Sequence, residues 1–260
     1  MIVRSLTEIP PILAFLLIVA IFNAYALVML LSLRTLLARH KMPRNEAIAS
    51  STFGAIGGFN SLLLALVVVT LWTGFRETQT NVNREAAQIA HLRQDMIGFP
   101  APEAAKFTQA LRRYVDAVVF DEWPALCNGK PGPRATDEFN VLQKDLIENS
   151  SLKMDATLRS DTLSRIGQLD ELRRSRLTAA SPVIIPEVWV VLLFVTGLLL
   201  VSPVFFNTEH RGLQIAMAAF FATALGAVFF IAARLDYVFC GSTSVSPDAL
   251  MDVARTLSGR

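Results

Sequence analysis

From Ala47 to Phe75 the chain carries no charged side chain, and from Arg76 to Gly98 it turns polar without meeting a proline. At about 1.5 Å rise per residue the first stretch is long enough to cross a hydrocarbon core of about 30 Å. The pattern therefore predicts one long helix that leaves a membrane and becomes the first helix of a polar domain. Three further charge-free runs, Ile9–Leu33, Val188–Asn207 and Leu213–Ala233, are each long enough to span. The fold class expected is an all-α membrane protein: four transmembrane helices, with an extramembrane helical bundle inserted between the second and third.

Composition fits this division. With 53% hydrophobic and 18% charged residues, the chain is too apolar for one soluble domain and too charged to be all membrane. The expected organisation is a transmembrane hairpin over 1–75 (spans about 11–34 and 50–75) and a bundle over 76–184. A second hairpin follows over 185–236 (spans about 187–206 and 212–234), then an extramembrane tail over 237–260. Between Arg76 and Pro186 there are 15 Lys/Arg and 15 Asp/Glu. A balanced block of this kind has no nucleic-acid footprint.

Pro10 and Pro11 open the first span, where missing N–H groups cost nothing. Ala24-Tyr25-Ala26 imitates a signal-peptidase site, but the apolar run continues to Leu33, so an uncleaved anchor is expected. Arg34 to Glu46 reads as a short loop with Arg34, Arg39, Lys41 and Arg44 against one acid, hence cytoplasmic. In the second span Gly54 and Gly58 form a small-xxx-small pair suited to close helix packing, within a subunit or between subunits. Asn60 is an amide inside a span and needs a partner helix or water. Asn60 and Ser61, with Leu64, Val67 and Leu71 below them, are candidates to line a pore with an apolar constriction. The same stripe also fits a packing seam.

In the polar block Phe107, Leu111, Tyr114 and Val118 repeat with helical period, so 103–122 reads as an amphipathic helix. The Asp121-Glu122-Trp123-Pro124 turn is expected to end it, Trp123 stapling the end into the bundle and Pro124 stopping the helix. An ion or ligand site on the two acids is the alternative. Arg173, Arg174 and Arg176 precede the third span and read as a headgroup-anchoring cluster, or as the lining of an anion vestibule.

Glu85, Asp121, Glu122 and Glu187 are the carboxylates next to apolar or membrane-flanking segments. None is paired with a histidine or nucleophile at a recognisable spacing, and no phosphate loop, G-x-S-x-G or HExxH is present. No enzyme activity, cofactor or metal site is expected. His40, His91 and His210 are scattered, and the two cysteines exclude a CxxC knuckle. Cys127 and Cys240 lie on the same side of a four-span protein. They are a possible disulfide if that side is oxidising, and two free thiols otherwise.

Several stretches in order carry a resemblance: LLLALVVVTLW running into NVNREAAQIAHLRQDMIGFP, then RRYVDAVVFDEWPAL, IGQLDELRRSRL before PEVWVVLLF, and LDYVFCGSTSVSPDAL. Over about residues 45–255 the chain resembles the bestrophin-like domain family of bacterial membrane proteins. In the last motif Tyr237 and Val238 stand where the family commonly has an Arg-Pro pair, and Cys240 where it has Ser. The resemblance implies kinship with ring-forming anion channels: a homo-oligomer in the lipid bilayer of the bacterial inner membrane, passing small anions. A non-conducting anchor, whose bundle senses or binds a partner, is the other reading. The clues to sidedness disagree. The basic 34–46 loop puts the bundle in the periplasm, whereas the bestrophin analogy and the Arg173/Arg174/Arg176 cluster put it in the cytoplasm. The short-loop rule tips the expectation to the periplasm.

Overall fold

The computed structural model describes residues 9–39, 46–148, 156–206 and 210–258. Among them every regular element is helical. In chain order they are α1 (Pro11–Arg39), α2 (Glu46–Asp95), a 3-10 turn (Met96–Gly98), α3 (Ala101–Ala117), a π-helical turn (Val118–Glu122) and α4 (Trp123–Leu126). Then come α5 (Pro133–Glu148), α6 (Ala156–Thr178), α7 (Pro186–Val201), a 3-10 turn (Ser202–Phe205), α8 (Arg211–Leu235) and α9 (Asp248–Leu257). Among the described residues four helices are long and apolar enough to cross a membrane, over Pro11–Leu36, within Ala47–Gly98, over Pro186–Phe205 and over Arg211–Leu235.

The chain divides into two units, one of residues Met1–Thr73 and Val183–Asp236, the other of Gly74–Pro182 and Tyr237–Arg260. The tail thus belongs with the polar block rather than standing apart. Helix α2 runs unbroken through the division at Thr73.

In the apolar unit, α1 lies along α8. Phe15 meets Phe230 and Phe22 meets Phe229, with ring centroids 5.5 and 5.0 Å apart. Small residues let the backbones approach: a Cβ on Gly226 would stand 3.2 Å from the Cα of Val19. Ala26, Leu200 and Ala222 form one buried cluster, and Leu30, Val204 and Ala218 a second. Large side chains such as Ile12, Val190 and Phe220 are exposed at 75%, 67% and 78%. That outward apolar surface suits lipid tails, not water. Helix α1 continues past Arg34 to Arg39, so the expected loop begins later than its charge suggests. No helix breaker occurs before Pro43, and Arg34 Nη1 donates to Gln214 Oε1 at 2.7 Å, which holds the last turns against α8. Lys41 and Arg44 of that loop lie outside the described residues.

The polar unit has one core. It takes Val82, Ile89 and Leu92 from α2, Phe107, Leu111 and Tyr114 from α3, and Phe139 and Leu142 from α5. Ile166 and Leu169 of α6, and Leu250 and Leu257 of α9, belong to it as well. The Pro124 expectation is corrected here. The helix does not stop at Asp121–Pro124 but widens to π register, Trp123 N–H bonding Val118 O, and continues as α4 to Leu126. Pro124 follows directly on this π turn, where the regular i−4 ladder that a proline would disrupt is already broken, and so it is accommodated. The chain then turns at Gly129, whose φ of 64° suits glycine.

Candidate functional site

In the apolar unit, α2 has two unlike faces. One face is sealed. Asn60 is fully buried and its Oδ1 accepts from Thr196 Oγ1 of α7 at 2.9 Å. Leu64, Val67 and Leu71 continue that face and are 5%, 8% and 0% exposed. They form a seam inside the protomer, so the apolar constriction expected of them is corrected: side chains packed within one subunit do not line an axis between subunits. The other face is open. Ser51, Gly54, Gly58, Ser61 and Ala65 are exposed, and a Cβ on Gly54 or Gly58 would meet nothing within 4 Å. Of the five pore candidates only Ser61 lies on the open side. Among the described residues nothing of its own protomer packs against the glycine pair.

In the polar unit a second constellation appears. Glu85 falls on the core stripe of α2, in the series Thr78, Val82, Glu85, Ile89, Leu92 and Met96, all buried. Arg173 and Arg176 fall on the core stripe of α6, in the series Thr162, Ile166, Leu169, Arg173 and Arg176, all buried too. Both series step by four and three residues, the repeat of one helix face. Charges at such positions are tolerated only with partners, and they have them. Arg176 Nε donates to Glu85 Oε2 at 2.7 Å, and Nη2 donates to Glu85 Oε1 at 3.1 Å and Glu122 Oε1 at 2.8 Å. Arg173 Nη2 donates to Glu122 Oε2 at 2.7 Å and to Thr136 Oγ1 at 2.8 Å. Tyr114 O–H donates to Glu85 Oε1 at 3.1 Å, and Gly132 N–H to Glu122 Oε2 at 3.3 Å.

Two aromatic lids complete the cluster. The Arg176 guanidinium lies 5.5 Å from the ring centre of Trp123, and that of Arg173 lies 5.7 Å from Phe139. Burial in low dielectric, then the neighbouring Glu85 charge, push the Tyr114 phenol well above its ordinary range. For Arg176, burial works against the charge, but attraction and hydrogen bonding to Glu85, with smaller contributions from Tyr114 and Glu122, together outweigh it, and the guanidinium is held more firmly protonated than usual. The cluster balances two cations against two anions. Every oxygen of Glu85 and Glu122 accepts from a guanidinium, so neither acid is poised as a general base or ion ligand. These bonds join α6 to α2 and to the π-helical turn.

The expectation that Arg173, Arg174 and Arg176 reach lipid headgroups is therefore corrected. Arg173 and Arg176 point along the stripe of Ile166 and Leu169 into the core, and only Arg174 is exposed, paired with Asp170 at 2.7 Å. Trp123 staples its turn by an edge-on contact with Phe239, at 5.4 Å between ring centres. Next to that contact Cys127 and Cys240 are bonded, with Cα atoms 5.0 Å apart across 113 residues of sequence. Among the described residues no group of acidic, histidine and cysteine side chains could hold a metal ion.

The comparisons with known proteins bear on this architecture. The family model of the Bestrophin-like domain matches residues 6–250. The chain belongs to the Bestrophin-like domain family. No curated protein matches it. Among solved structures, a substituted form of a bacterial Bestrophin homolog from Klebsiella pneumoniae superposes with a TM-score of 0.72. It is 11% identical and covers 94% of this chain and 98% of its own. A second substituted form of that homolog gives 0.71 at 11% identity, over 94% and 96%. A structure described only as a membrane protein gives 0.68 at 10% identity, over 94% and 97%. Identities this low establish the shared fold.

Proposed function

We propose that the protein is a channel subunit that assembles with copies of itself in the bacterial inner membrane and passes small anions. Family membership supports a membrane channel, and the two faces of α2 carry the finer reading. A face turned to lipid is normally large and apolar, as elsewhere on this unit. The open sector of α2 carries large apolar residues too, Leu62 and Val69 among them, but its first three turns set Ser51, Gly54, Gly58 and Ser61 between them. Small and hydroxylated residues suit a close neighbour or a water-lined axis. The pore sector is thus Ser51, Gly54, Gly58 and Ser61, with Asn60 acting behind it through Thr196.

In this reading the apolar unit is the membrane part, with hairpins over 1–75 and 185–236, and the polar unit stands in the periplasm. A disulfide between Cys127 and Cys240 persists in an oxidising compartment. With Arg173 and Arg176 neutralised by Glu85 and Glu122, the argument from them for a cytoplasmic bundle falls away. The bestrophin analogy still points to a cytoplasmic bundle; against it we set the basic 34–46 loop, since the charge rule is strongest for short loops. Alkaline phosphatase fused at Lys130 should be active in cells; activity of only a cytoplasmic reporter there reverses the topology.

The deciding experiment is flux from proteoliposomes, with reversal potentials in a chloride gradient and particle mass by light scattering. A ring of several copies with chloride selectivity, altered by Ser61→Phe, is the expected result. Cation selectivity would remove the anion half of the proposal. An intact oligomer that passes nothing would favour the second reading, a non-conducting anchor whose polar unit binds a partner. The exposed Phe120 and Ile97, at 73% and 86%, are the observation on its side.

A further inference from the structure

At the end of the apolar unit where α1 finishes and α8 begins, a cavity of about 220 Å³ is lined by Leu30, Leu31, Arg34, Thr35, Arg211 and Ile215. A second cavity, about 170 Å³, follows α1 and α8 toward the middle of the span and is lined by Ala24, Leu27, Ala218 and Ala219 among others. The two share Leu30 and Ile215 and so form one groove. Its outer end is cationic and its inner end is apolar and floored by alanines. We propose that this groove holds an anionic glycerophospholipid, with the phosphate between Arg34 and Arg211 and one acyl chain in the alanine trough.

The socket is built rather than incidental. Gln214 is buried, and its Nε2 donates to Pro203 O at 2.8 Å, which aims its Oε1 at Arg34 Nη1. Arg34 is thereby held beside α8 at the mouth of the groove it lines. Arg211 is exposed at the first position of α8, which has no acid in its first turn and no capping side chain on His210. The helix N-terminus adds to the positive potential there. Guanidinium forks match phosphate oxygens bidentately. From Arg34 to Asn23, where the trough closes on the Asn23–Thr223 hydrogen bond of 3.0 Å, α1 runs roughly 16 Å, long enough for most of one acyl chain. A free phosphate would fill the socket and leave the trough unused, so the continuous groove favours a lipid.

Native mass spectrometry of the full-length protein, offered phosphatidylglycerol or phosphatidylcholine of matched chains, tests this. With two arginines at the membrane surface, the wild type should retain phosphatidylglycerol roughly tenfold or more over phosphatidylcholine. Arg34→Gln with Arg211→Gln should abolish the preference, and Arg211→Gln alone, at an exposed position, should reduce it. Ala219→Phe, which plugs the trough, should lower retention of both lipids. Equal retention of the two lipids by the wild type overturns the proposal, as does an unchanged preference in both arginine variants. A change of subunit number in those variants with lipid retention intact overturns it too, since it would make this face a contact between copies. None of these outcomes depends on ion flux.

Discussion

In the apolar unit the buried face of α2 is closed by two neutral groups, Asn60 and Thr196. Further along the same helix, Glu85 is equally buried but sits among two arginines, a second glutamate and a tyrosine. The contrast follows from what surrounds each unit. A helix in lipid gains nothing hydrophobic by leaving the tails, so its partners are chosen by close fit and by modest hydrogen bonds. A helix in water gains from burying apolar surface, and that gain can carry a charge cluster inward provided every charge is matched. In the polar unit, core formation and ion pairing are inseparable; in the apolar unit they are two weak, independent contributions.

The sharpest way to break this comparison is to remove Arg176. Arg176→Ala leaves Glu85 and Glu122 enclosed with one cation between them. The expected loss is about 3–5 kcal/mol of stability, measured by denaturant unfolding of the purified protein in mild detergent. Arg176→Met with Glu85→Gln, which removes an opposite pair, should recover a large part of that loss. A single variant that loses under about 1 kcal/mol would mean that water reaches the cluster and that the two units do not differ as argued.

Second in size is the covalent tie in the polar unit. Cys127→Ser with Cys240→Ser should cost about 2–4 kcal/mol, because the bond closes a long loop in the unfolded chain. The wild type, but not this double variant, should change mobility between non-reducing and reducing gels. Identical mobility in protein exported to the periplasm would remove the tie.

How much of this was legible in the sequence differs between the units for a physical reason. A span announces itself through length and the absence of charge, which are properties of a segment, and all four were readable. The faces of a span are harder, because Leu64 packs equally well against a neighbouring helix or across a pore. Only α7, far along the chain, shows that Asn60 has its partner in Thr196. In the polar unit the amphipathic series Phe107, Leu111, Tyr114 and Val118 was readable for the same reason as any helix stripe. The charge cluster was missed although a signal existed: Glu85, Arg173 and Arg176 stand at stripe positions where an apolar residue is due. Read by proximity to the third span, the arginines suggested lipid; read by register, they required acids. The π turn that brings Glu122 to them, and the groove around Arg34 and Arg211, depend on tertiary proximity that no local pattern encodes.

Tyr114 gives a smaller test, through pH. Its folded-state pKa is raised, chiefly by burial and then by Glu85. The unfolded chain ionises this phenol above about pH 10 while the folded chain keeps it neutral, so stability is unaffected below that pH. Above it, stability falls by about 1.4 kcal/mol per unit. Absorbance titration at the tyrosinate band should give superimposable curves for the wild type and Tyr114→Phe until the protein unfolds. A difference between them in the folded range would mean that the phenol is open to solvent, and the cluster with it.

The smallest effect belongs to the apolar unit. Thr196→Val keeps the shape of the side chain and removes the hydroxyl that donates to Asn60 Oδ1 at 2.9 Å. Single hydrogen bonds between membrane helices are worth about 0.6 kcal/mol on average, and the amide of Asn60 can turn toward backbone carbonyls when its donor is lost. A loss near that value, several times smaller than for Arg176→Ala, is the outcome the contrast requires. Because the seam lies behind the open sector, Thr196→Val should also leave ion flux within about twofold of wild type, the rate factor for a few tenths of a kcal/mol. A loss of flux without a loss of stability would turn Asn60 from a packing residue into part of the conduction path. It would also place the axis on the side of α2 that is sealed in the isolated protomer.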